Sequence, residues 1–238
     1  MASLNEQLAT LVDNYTACDV SDALLKLQKV PKVPISPILG RNDATGKVAA
    51  PATTFKFLNK GDNPPAIAAE NPERHGFPPG KHWVDYTGDY AAEDPSNAGS
   101  IVVIEQPSEQ HCAVTGGIMA ARMKVLGIKA TVVSGRVRDV RELQATGLPI
   151  WARSTSTVGT GAEAQAGARN VPISVAGITV SPGDIIFCDP LEGVVAIPRD
   201  LLSAVLETIP KLISMDDKAK EAVSQGMTVT EAFKTFRS

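Results

Sequence analysis

The chain has 238 residues, 43% of them apolar, which is enough to bury the core of one large α/β domain. Its 23 basic and 26 acidic residues leave a net charge of -3, so no positive excess indicates a nucleic-acid or anionic-membrane partner. Cys18, Cys112 and Cys188 lie far apart without a C-x-x-C pair, which is typical of neither a disulfide framework nor a zinc site. We therefore expect one cytoplasmic domain spanning 1–238.

The amino-terminal segment is patterned as helix, with Leu4, Leu8 and Leu11 at helical spacing. Glu6 and Asp13 interrupt the apolar stretch that a signal peptide would need. No apolar run in the sequence is long enough to cross a bilayer, which predicts that the protein has no membrane partner.

Residues 59–99 form a long segment that is rich in Pro, Gly, Asn and Asp and shows no clear periodicity. Such a segment is typical of a loop excursion that covers a site. We hypothesise that its aromatic residues and His82 cover the site or thicken a contact between subunits. His75 and His82 are seven residues apart and His111 is distant, so no histidine metal site is predicted.

From residue 100 the chain alternates between strand and helix patterns. The strands "SIVVIEQ", "ATVVSG" and "PIWARS" enclose the helices "GGIMAARMKVLG" and "VRELQATG", which predicts βαβ units and a parallel sheet. Short strands follow in "VPISVAGITV", "DIIFCD" and "GVVAIP", and then two helices, "RDLLSAVLETIPKLISM" and "DDKAKEAVSQ". The predicted fold class is therefore α/β, with a central sheet flanked by helices.

The stretch "VVSGRVRDVREL" (132–143) allows two interpretations. Asp139 and Glu142 have the spacing of a capping box, in which both side chains serve the start of the next helix. Alternatively, Arg138 and Asp139 emerge at the carboxyl end of a strand, where open α/β sheets place their sites. Spacing alone does not decide between them.

The preceding turn, "AVTGG", leads into a helix whose first amides can receive an anion, around Gly116, Gly117, Ile118 and Met119. Asp139 supplies a carboxylate for a hard divalent cation, and Arg138 supplies a guanidinium that can grip a carboxylate with two hydrogen bonds. Together these groups suit a small 2-oxo acid chelated on a metal.

These residues carry a family resemblance. Gly117, then twenty residues, then Arg138, Asp139 and Glu142 resemble the G-x20-R-D-x2-E/D signature of the family that contains 4-hydroxy-4-methyl-2-oxoglutarate (HMG) aldolases and the regulator of ribonuclease activity A. The stretches "SDAL", "GITVSPGDIIFCD", "GVVAIPRDL" and "DDKAKEAVSQG" extend the resemblance over nearly the whole chain except 59–99.

The resemblance implies an α/β/α swivelling-domain fold, assembled as a trimer or hexamer with sites between subunits. It implies that Asp139 binds Mg²⁺ or Mn²⁺, that Arg138 binds the substrate and steadies an enolate, and that the amides near Ile118 and Met119 hold the pyruvyl carboxylate. An acid from a neighbouring subunit would complete the metal shell through water. Asp217 or Asp216 stands at roughly that place in the carboxyl-terminal helix, and the resemblance does not choose between them.

The implied activity is metal-dependent retro-aldol cleavage of HMG or 4-carboxy-4-hydroxy-2-oxoadipate to pyruvate, with oxaloacetate decarboxylation at the same site. One departure matters, because many bacterial aldolases of the family carry an acid where this chain has Gly117. Glu105, Glu109 or a histidine of the excursion would then transfer the proton, or the activity is reduced or redirected.

Two alternatives stay open. A Schiff-base aldolase would use a lysine such as Lys129. A regulatory binding protein would use the same scaffold without catalysis, but that branch of the family lacks the aspartate after the arginine, so Asp139 favours an enzyme.

Overall fold

The computed structural model describes residues 2–28, 46–89 and 99–237. Within these ranges the helices are α1 (Leu4–Asn14), α2 (Ala17–Gln28), α3 (Ala66–Glu70), α4 (Pro72–His75), α5 (Gly117–Val125), α6 (Val140–Ala145), α7 (Leu202–Ser224) and α8 (Val229–Phe236). The strands are β1 (Val48–Asn59), β2 (Ile101–Glu105), β3 (Ala130–Val137), β4 (Ile150–Thr155), β5 (Ala164–Arg169), β6 (Ile173–Val175), β7 (Ile178–Val180), β8 (Ile185–Asp189) and β9 (Gly193–Ile197).

Four strands form the parallel part of the central sheet, in the order β4-β3-β2-β1. Helix α5 connects β2 to β3 and α6 connects β3 to β4, as the alternating sequence pattern predicts. β2 and most of β3 are buried on both faces, which explains their nearly continuous apolar sequence. The carboxyl ends of β1, β2 and β3 therefore meet at one edge of the sheet.

Strand β1 joins this parallel part to the antiparallel remainder. Opposite β2, its first residues pair with β8 and its last residues pair with β5, with a register shift between Lys56 and Phe57. β9 extends the sheet beyond β8, and β6 and β7 form a separate hairpin. Ala176 and Gly177, which connect this hairpin, both have positive φ, as a type I′ turn requires.

The carboxyl-terminal prediction of two helices is wrong, because α7 runs without a break from Leu202 to Ser224. The expected boundary falls at Asp216 and Asp217, on a partly solvated face where acidic side chains do not interrupt a helix: Asp216 pairs with Arg237 and Asp217 with Lys220. The piece after Thr228 is helix α8, which begins with a capping box formed by Thr228 and Glu231.

The buried apolar residues form three clusters, and helices cover the sheet at two of them. One cluster lies beneath α5 and α6 and includes Phe57, Met123 and Leu143, and another packs α1, α2 and α7 around Phe187. The third lies under the β6–β7 hairpin. The predicted α/β fold class, with a central sheet flanked by helices, is confirmed. In the described part of the chain, no helix is both long and apolar enough to span a bilayer.

Candidate active site

The loops after β2 and β3 lie side by side, as the carboxyl ends of neighbouring parallel strands must. Arg138 directly follows β3, and its backbone N–H donates to the carbonyl of Thr115, at 3.0 Å. Arg138 and Asp139 are thereby placed next to the turn that leads into α5. The positional interpretation of "GRVRD" describes this local structure correctly.

A buried glutamine braces the two loops against each other. The side-chain oxygen of Gln106 accepts the N–H of Arg136 at 2.8 Å, and its amide nitrogen donates to the carbonyl of Cys112 at 2.8 Å. A Cβ on Gly135 would lie 2.7 Å from the Cβ of Gln106. The glycine of "SGRVRD" is therefore required by the side chain that packs across it, and this role of Gln106 has no signal in the local sequence.

The capping-box interpretation of Asp139 is wrong. Asp139 is the residue before α6, but its side chain makes no capping hydrogen bond to that helix. Its backbone is left-handed, with φ 57° and ψ 44°, which turns the carboxylate toward the neighbouring loop instead. There Oδ2 accepts the N–H of Gly117 at 3.3 Å and lies 3.3 Å from Nε of Arg138.

Two glycines permit this close approach. A Cβ on Gly116 would lie 2.6 Å from Oδ2 of Asp139, and a Cβ on Gly117 would lie 2.6 Å from the Cβ of Glu142. The carboxylate of Glu142 extends into the space that a side chain at position 117 would need. Position 117 thus lacks an acidic side chain, and the carboxylate of Glu142 from α6 occupies the space beside it. Sequence spacing did not predict this contact.

Helix α5 begins without a side-chain cap. Gly116 is its N-cap residue, and the first helical hydrogen bond of the turn runs from the N–H of Ala120 to the carbonyl of Gly116. Three of the residues predicted to receive an anion line the same cavity as Arg138 and Asp139: Gly116, Ile118 and Met119. Gly117 is not part of the lining, but its N–H donates to Asp139, which is. Backbone donors, a guanidinium and a carboxylate thus converge.

The cavity has a volume of about 360 Å³, which is within the usual range for small-molecule sites. Its charged side carries Arg138 and Asp139, both partly exposed. Thr115 also lines it and is only 2% exposed, and its hydroxyl oxygen has no hydrogen-bond partner among the described residues. Thr115 has no signal in the local sequence, where nothing distinguishes it from a structural threonine.

The described part of the excursion is folded rather than a loop. It contains α3, α4 and a 3-10 turn at Trp83–Gly88. The Trp83 ring packs edge-on against Phe55 and Phe57, with centroid distances of 5.6 and 5.3 Å. His82 and Trp83 line the cavity, which fits the hypothesis that the excursion covers the site. Residues 90–98 lie outside the described part of the chain.

A buried arginine on β5 anchors the excursion. Arg169 is 4% exposed, and its guanidinium donates to the carbonyls of Glu73 and Gly76 and to the carboxylate of Asp89. It also lies over the Tyr86 ring, 4.3 Å from the centroid. One side chain therefore ties together the beginning, middle and end of the segment 73–89.

A second tie joins the excursion to α5. Nε of Arg122 donates to the carboxylate of Asp85 at 2.7 Å, and this hydrogen bond holds the pKa of Asp85 below its usual range. The 3-10 turn that carries Trp83 is therefore fixed to the helix whose start lines the cavity.

Arg169→Lys is expected to loosen the excursion selectively, because an ammonium group cannot satisfy the same set of acceptors as the planar guanidinium. We expect a loss of about 2 kcal/mol in the free energy of unfolding. Hydrogen exchange should accelerate within 73–89 and stay unchanged in β2 and β3. Arg153→Lys, an exposed arginine on β4, is the matched control. Acceleration spread evenly over the whole sheet would contradict the anchoring role.

The structure separates the proposed proton-transfer groups. Glu105 pairs with Lys56 at 2.6 Å and accepts the N–H of Ser174, and neither it nor Glu109 lines the cavity. Nδ1 of His75 faces the carbonyl of Arg169. Among these candidates only His82 lines the cavity.

The lysine of the Schiff-base alternative also lies elsewhere. Lys129 immediately precedes β3, at the amino end of the strand, whereas the cavity lies at the carboxyl ends.

Within one chain, the described residues contain no cluster of three or more potential metal ligands. Asp216 and Asp217 both lie on α7 and do not line the cavity of their own chain. Of the residues that the structure describes, Asp139 is the one that places a carboxylate there. One carboxylate with several waters is a donor set that suits Mg²⁺, so the residues fit a hard dication held mainly through water.

Comparisons with known proteins agree with this architecture. The family model described as RraA-like, Aldolase/RraA, matches residues 17–196. A Halalkalibacterium halodurans protein named "Putative 4-hydroxy-4-methyl-2-oxoglutarate aldolase" is 32% identical over 138 residues, which are 58% of this chain and 65% of that protein. Alignments with the curated relatives span between 32% and 65% of those proteins' lengths.

Two solved structures share the fold. A Pseudomonas syringae pv. tomato protein superposes with a TM-score of 0.68 at 23% identity, covering 99% of this chain and 96% of that one. Streptomyces coelicolor RraAS2, described as an unusual member of the RNase ES inhibitor RraA protein family, superposes with a TM-score of 0.64 at 19% identity, covering 95% and 99%. With the family match over 17–196, the chain belongs to the RraA-like (Aldolase/RraA) family.

Proposed function

We propose that this protein is a divalent-metal-dependent lyase that cleaves 4-hydroxy-2-oxo acids, of the kind represented by HMG and 4-carboxy-4-hydroxy-2-oxoadipate, to release pyruvate. One observation carries the proposal: the carboxylate of Asp139, the guanidinium of Arg138 and the start of α5 face one cavity. The similarity to a protein named as an HMG aldolase supports the same reaction class.

The reaction breaks the C3–C4 bond of the substrate. The C4 hydroxyl loses its proton to solvent, directly or through His82, and becomes a carbonyl. The C3–C4 electron pair becomes the enolate of pyruvate, which is then protonated at C3. Oxaloacetate decarboxylation produces the same enolate after loss of CO₂, so we expect it as a side activity.

The protein groups have separate tasks in this reaction. The amides of Ile118 and Met119 bind the pyruvyl carboxylate, because the helix start presents backbone donors and a positive dipole end there. Arg138 stabilises the negative charge that develops on the enolate oxygen. Asp139 would hold the metal, Mg²⁺ or Mn²⁺, which when bound supplies a Lewis acid for the 2-oxo group. Asp217 of a neighbouring subunit in a trimer or hexamer is the further acid that we propose, through water.

The test is the release of pyruvate, measured by coupled lactate dehydrogenase, from HMG, 4-carboxy-4-hydroxy-2-oxoadipate and oxaloacetate. Each substrate is assayed with EDTA and with added Mg²⁺ or Mn²⁺. We expect metal-dependent release that EDTA abolishes. Release that survives EDTA, or no release from any 4-hydroxy-2-oxo acid, would overturn the proposal.

A binding protein without catalysis is the second candidate. It is favoured by position 117, where the space for an acidic side chain is taken by Glu142. If no substrate releases pyruvate and Asp139→Asn leaves stability unchanged, this candidate takes first place. The cavity would then be assayed for binding of 2-oxo acids by calorimetry.

A further inference from the structure

The cavity has two chemically different sides. Arg138, Asp139 and the start of α5 form the charged side, at the ends of β2 and β3. The opposite side, here called the apolar wall, consists of Phe57 on β1, Trp83 on the excursion, and Ala164 and Ala166 on β5. β5 pairs with the last residues of β1, and Phe57 faces Ala166 in that pairing.

The geometry points to a substrate whose C4 substituent is an alkyl group rather than a second carboxylate; we propose that the apolar wall binds this substituent. The inference rests on the proposed function and specifies the substrate class of that site. With the pyruvyl end held between Arg138 and α5, the C4 end of the substrate extends toward the apolar wall.

The polar groups near the apolar wall are already occupied. The side-chain amide of Gln165 donates to the carbonyl of Asp62 at 2.6 Å, and its oxygen accepts the N–H of Gly61. The hydroxyl of Thr160 donates to the carbonyl of Ala113 at 2.7 Å. The ammonium group of Lys60 donates to the carbonyl of Gly161 at 2.7 Å and does not itself line the cavity. A carboxylate against this wall would lose its hydration, and no cationic side chain among the described residues belongs to the wall, so its burial there is unfavourable.

Among the described residues that line the cavity, only two side chains can carry a positive charge. Arg138 lies on the charged side, and His82 lies at the exposed rim. Nδ1 of His82 accepts the N–H of Val84, so its other nitrogen is the donor that faces outward from this contact. Among the described residues that line the cavity, His82 is therefore the candidate for binding a second carboxylate, and it is included in the test.

The test compares three substrates that share the pyruvyl end: HMG, 4-hydroxy-4-methyl-2-oxopentanoate and 4-hydroxy-4-methyl-2-oxohexanoate. The first two differ by a carboxylate against a methyl group, and the last two by one methylene. We expect kcat/KM to rise about tenfold from the methyl to the ethyl compound. We also expect kcat/KM for both alkyl compounds to exceed kcat/KM for HMG, after correction for the two pyruvates that HMG releases.

Two variants of the apolar wall make the test specific. Trp83→Ala should bring the ethyl-to-methyl ratio close to one, and Ala166→Lys should shift the preference toward HMG. Trp151→Phe, which alters a buried tryptophan outside the cavity, should change neither ratio. A kcat/KM for HMG above that of both alkyl compounds would overturn the proposal, whether or not His82→Ala abolishes the preference. Wall variants that lower kcat/KM equally for all three substrates would overturn it too.

Failure of this inference can be distinguished from failure of the proposed function. Metal-dependent exchange of the C3 protons of pyruvate with D₂O, followed by NMR, requires enolate formation but no C4 substituent. Exchange without cleavage of the alkyl substrates would overturn the substrate class and retain the proposed chemistry. If neither exchange nor cleavage occurs, both proposals are overturned.

Discussion

Asp139→Asn is expected to lower kcat/KM for pyruvate release at least about a thousandfold, because it removes the cavity carboxylate that we propose as a metal ligand. Asparagine removes the charge at this position and keeps the size of the side chain. It tolerates the left-handed backbone that Asp139 adopts, and its oxygen can still accept the N–H of Gly117. Loss of activity would therefore report on the charge and not on the fold.

The melting temperature of Asp139→Asn should stay within about 2 °C of the parent value, since the side chain makes no cap to α6. A direct readout is Mn²⁺ binding by electron paramagnetic resonance, in which the Kd should rise with the loss of activity. Asp13→Asn, an exposed acid on α1, is the matched control and should alter neither quantity. Full activity in Asp139→Asn would rule out metal binding by this residue.

Arg138→Lys is expected to lower kcat by about a hundredfold or more, although it retains the positive charge. A guanidinium can hold two oxygens in one plane, whereas an ammonium group acts as a point charge on a flexible stem. Removing one preorganised donor from a developing oxyanion typically costs about this much. The guanidinium lies close to the backbone of Gly159 and the carboxylate of Asp139, so its position is already set in the free protein.

The expected kinetic signature is a loss in kcat that exceeds any rise in KM, because the enolate charge appears only during the reaction. Arg141→Lys, an exposed arginine in α6, is the matched control. A rise in KM alone would assign Arg138 to substrate binding and would leave enolate stabilisation to other groups.

Gly117 stands at the position where many bacterial aldolases of the family carry an acidic residue. An acidic side chain cannot simply be restored there, since its Cβ would overlap the side chain of Glu142. The site of this chain is therefore built around close contact between the start of α5 and the start of α6. For the proposed reaction, we expect a proton-transfer group at the cavity rim, where His82 lies.

Local pattern was sufficient for the central part of the fold. The apolar runs of β2 and β3 and the spacing of α5 follow from burial on both faces and from helical periodicity, which neighbouring residues encode. The placement of Arg138 and Asp139 at a strand end follows from the same pattern. By contrast, β5 has an alanine- and glycine-rich sequence with little strand propensity, and its pairing with β1 imposes the extended conformation.

The sequence by itself determined the α/β class, the order of the βαβ units and the strand end from which the site residues emerge. Only the tertiary structure decided that Asp139 turns toward Gly117 rather than capping its own helix, that Glu142 fills the space beside Gly117, and that Trp83 closes one side of the cavity. The physical reason is range: periodicity and caps depend on residues within one or two turns, whereas these contacts join residues that are distant in the chain and close only after folding.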